Sequence, residues 1–125
     1  MTTTTDQNGP ATYTVKDATT VTANRRVKIL ATGLEHAGAA DLAVGIAMST
    51  MDAAETTRDR SVAVQPIAGD KRLYFIAAGA ITQFAEIEAA ADGKVDEFSA
   101  GTKLGYIAVN DVAADGDLVL AAPVK

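Results

Sequence analysis

The chemistry this chain could perform rests on few residues. His36 is its single histidine, and it sits in Leu34-Glu35-His36-Ala37-Gly38, which reads as a loop. One histidine can act as a base, but there is no cysteine to activate, and no serine stands in a nucleophile-elbow motif. The 16 acidic residues leave two-carboxylate hydrolysis open by count alone. The close acidic pairs, Glu86-Ile87-Glu88 and Asp115-Gly116-Asp117, read as an exposed strand face and a turn. Neither has the ligand spacing of a calcium loop. Gly101-Thr102-Lys103-Leu104-Gly105 lacks the order and spacing of a phosphate loop and reads as a turn into a strand. Arg58 and Arg60, with Asp59 between them, read as a solvated loop. The expectation is a protein that is not an enzyme and needs no cofactor or metal.

Composition narrows the partners. A formal charge of −5 without a basic block disfavours gripping a phosphate backbone, so no nucleic acid is expected. No apolar run approaches the roughly 20 residues of a membrane helix. Residues 1–10 lack the basic and apolar regions of a secretion signal, so the expectation is synthesis in a cytoplasm and a soluble product. The chain is 125 residues long and 48% hydrophobic, but much of that is alanine and only 5% is aromatic. Small side chains bury little area, so such a domain should gain stability from association.

The elements that must position these groups are mostly strands. Val21, Val27, Ile29 and Ala31 alternate with Thr22, Arg26 and Lys28, the period of a half-buried strand. Residues 42–48, 61–66, 72–77, 80–90, 104–109 and 117–121 follow as further strand candidates. Asp92-Gly93 and Asp115-Gly116 mark turns. Residues 85–91 fit either a strand or a short helix ended by Gly93, and residues 37–42 and 51–55 could each hold a helical turn. Tyr74 and Phe75 fall in an apparently buried strand. Residues 1–20 differ in character. A threonine run and Asp6-Gln7-Asn8-Gly9-Pro10 precede Thr12, Tyr13, Thr14, Val15 and Lys16, a β-favouring segment. Two domains are expected: a flexible N-terminal arm over 1–20, whose 12–16 segment adds a strand to another chain, and a β-rich domain over 21–125.

An internal repeat organises the second part. A shift of 60 residues superposes Thr22 on Thr82, Gly33 on Gly93, Gly45 on Gly105 and Ala53-Ala54 on Ala113-Ala114, among seven identities. The register breaks after Glu55, and Val62 and Val64 are then matched to Leu118 and Leu120. The reading is mainly β: two related β units in one small barrel or sandwich. The repeat sets Arg26 against Glu86 and Lys28 against Glu88, all at even, outward positions. Opposite charges at equivalent places suit a ring in which one repeat faces the other across subunits, so these four are the candidate subunit interface.

Ala91-Asp92-Gly93-Lys94-Val95, Gly105-Tyr106-Ile107-Ala108 and Ala113-Ala114-Asp115-Gly116-Asp117-Leu118-Val119-Leu120 resemble small bacteriophage capsid decoration (cement) proteins, and more distantly the lambda head-decoration family. Val44-Gly45-Ile46-Ala47 and Val62-Ala63-Val64 fit the first half similarly. The resemblance implies a β-tulip-like domain that forms homotrimers on the outer capsid surface at three-fold positions. It also implies an N-terminal arm that binds the major capsid protein and stabilises the head. The alternative is a small β-barrel that binds a glycan or other surface, as a head-fibre or adhesion module; it requires exposed aromatic side chains.

Overall fold

The computed structural model describes residues 11–56, 59–67 and 71–124. They form two five-stranded sheets. The first contains β1 (Ala11–Thr14), β2 (Arg26–Leu30), β3 (Gly33–His36), β4 (Gly45–Ala47) and β5 (Ser61–Gln65), in the order β1-β5-β4-β2-β3. The second contains β6 (Leu73–Ile76), β7 (Glu86–Ala89), β8 (Val95–Glu97), β9 (Lys103–Ala108) and β10 (Leu118–Pro123), in the order β6-β10-β9-β7-β8. Both orders are the same permutation, and every ladder is antiparallel. In each sheet the outer strands meet again through one parallel bridge, Val15 with Leu34 in the first and Ala77 with Val95 in the second. The expected pair of related β units is therefore the architecture.

The duplication extends to single hydrogen bonds. Val21 and Met51 exchange backbone bonds, as do Ile81 and Val112. Asn24 donates to the Ala47 carbonyl at 2.8 Å, and Phe84 donates to the Ala108 carbonyl at 2.7 Å. Asn24 and Phe84 are both left-handed, at φ 68° and 70°. The cores correspond as well. Val15, Val21, Val27, Leu34, Ala47 and Met51 of the first match Ala77, Ile81, Ile87, Val95, Ala108 and Val112 of the second.

The last strand corrects the sequence register. Tyr13 pairs with Val62 and Phe75 with Val119, so Val62 and Val64 correspond to Val119 and Ala121 rather than to Leu118 and Leu120. A slip of one place exchanges the faces of a strand; Val119 is buried, while Leu118 is 45% exposed. Residues 81–85 are a turn ahead of β7 rather than part of it, and the Asp92-Gly93 turn is a 3₁₀ turn over Ala91–Gly93. Residues 37–42 and 51–55 each contain one hydrogen-bonded turn.

The N-terminal boundary also moves. β1 pairs along its length with β5 of its own chain, and Val15 lies in the first core at 1% exposure. Residues 11–20 therefore belong to the first unit rather than to a free arm. The remainder of the expected arm, residues 1–10, lies outside the described residues. The physical reason is the Tyr13–Val15 alternation itself: its best open partner is the edge of the chain's own β5.

One joint holds the two units together. Arg26 and Ile46 are cross-strand neighbours on the outer face of β2 and β4. Ile46 inserts into the second core, and Arg26 is 1% exposed. Its Nε donates to the Lys94 carbonyl at 3.2 Å, and one terminal nitrogen donates to the Ala90 and Lys94 carbonyls at 2.6 and 3.0 Å. The Gly93 amide donates to the Ala37 carbonyl at 2.7 Å. Gly93 has φ +73°, and a Cβ there would stand 2.5 Å from the Arg26 carbonyl oxygen. Arg26→Ala should remove about 2–4 kcal/mol, because the Ala90 carbonyl loses its guanidinium donor and the Lys94 carbonyl keeps only the Ala90 amide, and Gly93→Ala about 1–3 kcal/mol by backbone strain and collision. Urea unfolding of the two variants measures this; an unchanged midpoint for Arg26→Ala would show that the joint does not hold the units together.

Candidate functional site

His36 is at the end of β3 rather than in a loop. Its Nε2 accepts the Thr22 amide hydrogen at 2.9 Å, so that nitrogen is unprotonated. In the second unit the Glu97 carboxylate accepts the Thr82 amide at 2.8 Å, at the equivalent place. Two different side chains therefore satisfy the same turn. Burial chiefly lowers the His36 pKa; Arg25 and Lys94 push the same way, against Asp92 and Glu35.

The acidic pairs are likewise occupied in structure. One Glu88 oxygen accepts the amides of Ser99, Ala100 and Gly101 at 2.9, 3.3 and 2.8 Å, which lowers its pKa. Glu86 pairs with Lys103 at 2.9 Å. The Asp117 carboxylate accepts the Ala114 amide, and Asp115 pairs with Lys94 at 2.7 Å. Arg60, expected in a solvated loop, instead donates to the carbonyls of Asp52, Glu55, Lys16 and Thr19 at 2.8–2.9 Å. Among the described residues no three histidine, cysteine or acidic side chains are grouped to hold a metal ion, and no helix is long and apolar enough to cross a membrane.

The four candidate interface residues do not form one surface. Arg26 is the buried joint described above, not an outward group. The even positions of β2 do point out of the first sheet, but at Arg26 the second unit lies there instead of water. Lys28 pairs with Asp41 at 2.8 Å and Glu35 at 3.4 Å, and these partners raise its pKa. Glu86 and Glu88 are engaged within the second unit. The candidate strand-donating residues are engaged too. Thr12 and Thr14 lie in β1 paired with β5, Tyr13 packs on the first core, and Lys16 bonds Leu34 through its amide and Glu35 through its side chain.

Two surfaces remain that the sequence reading missed. The first is an open cleft of about 230 Å³ where β4, β5 and the start of β6 meet, edged by Asn24, Met48, Arg72 and Tyr74. Tyr74 is 50% exposed, contrary to its expected burial, while Phe75 is fully buried. Alternation along β6 could have separated them. The second surface is the outer face of β7 and β9, where Glu86 pairs across the ladder with Ile107 beside the turn that carries Phe84. It is the counterpart of the Arg26–Ile46 face. In the first unit the second unit covers that face; in the second unit Phe84 is left 66% exposed.

The fold defines a class: a β module made of two permuted, five-stranded antiparallel units joined head to tail. No family model and no curated protein matches the chain. Among solved structures, the N base of the head fiber protein gp8.5 of bacteriophage phi29 has the same fold. It shares 18% identity with a TM-score of 0.67, over 91% of this chain and 93% of that one.

The His36 contact has a defined pH signature. A folded-state pKa below the ordinary 6.5 means that the unfolded chain takes up the proton first. The stability it contributes is complete above that value and is lost as pH falls through the lower, folded-state value. The thermal midpoint should therefore fall as the pH drops below about 6.5, and His36→Gln, which retains an acceptor without titrating, should flatten that step. An equal drop in the variant would assign the step to other groups.

Proposed function

We propose that the chain is a non-catalytic structural protein of a bacteriophage head, seated on the outer capsid surface as a homotrimer bound to the major capsid protein. The observation that carries this reading is the duplicated β module itself, shared over nearly its whole length with the base of a phage head fiber. The capsid-decoration resemblance in the sequence supports the same setting.

The trimer reading draws on the two unequal ends of the module. Within the chain, the outer face of β2 and β4 receives the 91–93 turn of the next unit. That contact is heterologous: equivalent units use different surfaces. Both surfaces recur uncovered. The second unit offers Phe84, 66% exposed, beside a half-buried Ile107, and the first offers its 30–32 turn, with Leu30 39% and Ile29 49% exposed. Repeating the internal contact between chains forms a closed ring when the rotation permits, and three chains supply six units around a three-fold axis. Glu86 stands where Arg26 would grip carbonyls, so the contact between chains lacks that interaction and rests on apolar area.

The strand-donating role expected of residues 12–16 does not fit their pairing with β5. What remains of the arm reading is the segment ahead of Ala11, acting with the folded module to clamp neighbouring capsid subunits. Three such segments on one trimer bind multivalently, so weak single contacts suffice.

Phe84→Asn separates assembly from folding. Asparagine accepts the left-handed backbone that Asn24 already adopts in the first unit, so the monomer should be as stable or more so. Loss of the ring should shift the trimer to monomer in sedimentation velocity and weaken cosedimentation with empty capsids. A chain lacking residues 1–10 should remain folded and trimeric yet bind capsids less. Wild-type chain that fails to sediment with its phage's heads would overturn the proposal, as would an unchanged oligomer in Phe84→Asn for the ring.

A further inference from the structure

The cleft where the units meet is unlike the rest of the surface. Its floor is Ile46, Ala47 and Leu73, none more than 7% exposed. Its rim carries Tyr74, Met48, Arg72 and Asn24. Elsewhere the cations of the described residues are committed. Lys16, Lys28, Lys94 and Lys103 are in ion pairs. Arg25, Arg26 and Arg60 hold backbone carbonyls, and Lys71 also has a partner. Among the described residues, Arg72 alone keeps an uncommitted guanidinium. The Asn24 carboxamide and the Tyr74 hydroxyl are also without a side-chain hydrogen bond, and Asn24 is set at the rim by its left-handed backbone.

We propose that this cleft binds an acidic sugar, a uronate residue within a polysaccharide. Each uncommitted group matches one part of that ligand. The guanidinium fork takes a carboxylate with two parallel hydrogen bonds. The exposed tyrosine ring offers a flat apolar face to the C–H face of a pyranose. The asparagine amide supplies both a donor and an acceptor for ring hydroxyls. The volume is below the roughly 300–1,000 Å³ of a drug-sized pocket, which suits one ring of a chain that continues into solvent. A single cation in a molecule of net charge −5 does not make a phosphate-backbone site. An acidic peptide would also satisfy Arg72, but without the rigid C–H face of a pyranose to lie flat on the Tyr74 ring. The site lies within one chain and stands whether or not the protein sits on a phage head.

The test is a ¹⁵N-resolved NMR titration of the full chain with trigalacturonate, with maltotriose and triglutamate as the neutral and peptide counterparts. The expected result is saturable, millimolar-range shifts for trigalacturonate centred on residues 72–74, 24 and 48. Arg72→Met should weaken binding by about tenfold or more, and Tyr74→Ser should weaken it too, with the thermal midpoints of both variants unchanged. Equal binding of maltotriose or triglutamate, an unaffected Arg72→Met, or the absence of saturable binding of trigalacturonate would each overturn the assignment.

Discussion

A guanidinium withdrawn from water ties this molecule together. Each unit encloses only a small core, and most of its members are valine, alanine and isoleucine. Cores of that size leave little margin over the entropy of ordering the chain, so what joins them matters. Arg26 is held by carbonyl oxygens, not by a carboxylate. Burial lowers its pKa and the more distant Asp41 raises it. An arginine remains charged through such a shift, whereas a buried lysine readily gives up its proton. The planar fork also reaches two carbonyls on either side of one 3₁₀ turn, which a single ammonium cannot match in direction. The turn can come close enough because Gly93 has no side chain. Arg60 repeats the device inside the first unit, gathering four carbonyls from two loops.

The duplication shows which contacts the fold requires and which it leaves free. The Thr22 and Thr82 amides must both be satisfied, but a histidine does it in one unit and a glutamate in the other. The amides of Ala23 and Gln83 are met by a threonine hydroxyl and an aspartate. The backbone demand recurs, and any acceptor of suitable reach meets it. The left-handed turn position follows the same rule, with one informative departure. Asparagine tolerates that backbone well and phenylalanine does not. An exposed aromatic in such a conformation loses stability locally without burying its ring, which makes an external contact for Phe84 the economical explanation.

Much of this was legible in the residues. The alternation around Val27 gave the faces of β2, and the matching of Thr22 with Thr82 exposed the repeat, whereas the match of Gly33 with Gly93 stands one place off because Leu34 corresponds to Val95. The Asp92-Gly93 signal located the turn that forms the joint. What failed did so for one reason: periodicity tells which way a side chain points, and says nothing about what stands there. Arg26 points out of its own sheet, and that direction is the interior of the molecule. Tyr13 and Val15 have an edge-pairing pattern, and the available edge is β5 of the same chain. Tyr74 stands in the most aromatic stretch of the chain, yet only its neighbour Phe75 turns inward. The slip at Val119 has a similar origin. Leu118 and Leu120 flank Val119, so hydrophobicity alone leaves the register open by one place, and only pairing with Phe75 fixes it.

The unequal joints have a consequence for assembly on the proposed ring. A contact between two units of one chain forms at the effective concentration set by their short connection, and it includes Arg26. The contact between chains has neither advantage. It must be made by Phe84, Ile107 and the 30–32 turn at whatever concentration the free protein reaches. Such an arrangement favours chains that fold singly and close the ring late, where a surface brings three of them together. On the proposed reading a shell with three-fold positions would provide that gathering, since each docked chain would raise the local concentration of the next. The replacement of Arg26 by Glu86 then serves order as well as strength. With arginine at both positions, every unit could grip the exposed turn of any other, and free chains would string together in solution. A carboxylate paired to Lys103 withholds that grip, so in the proposed ring the contact between chains would rest on apolar area alone.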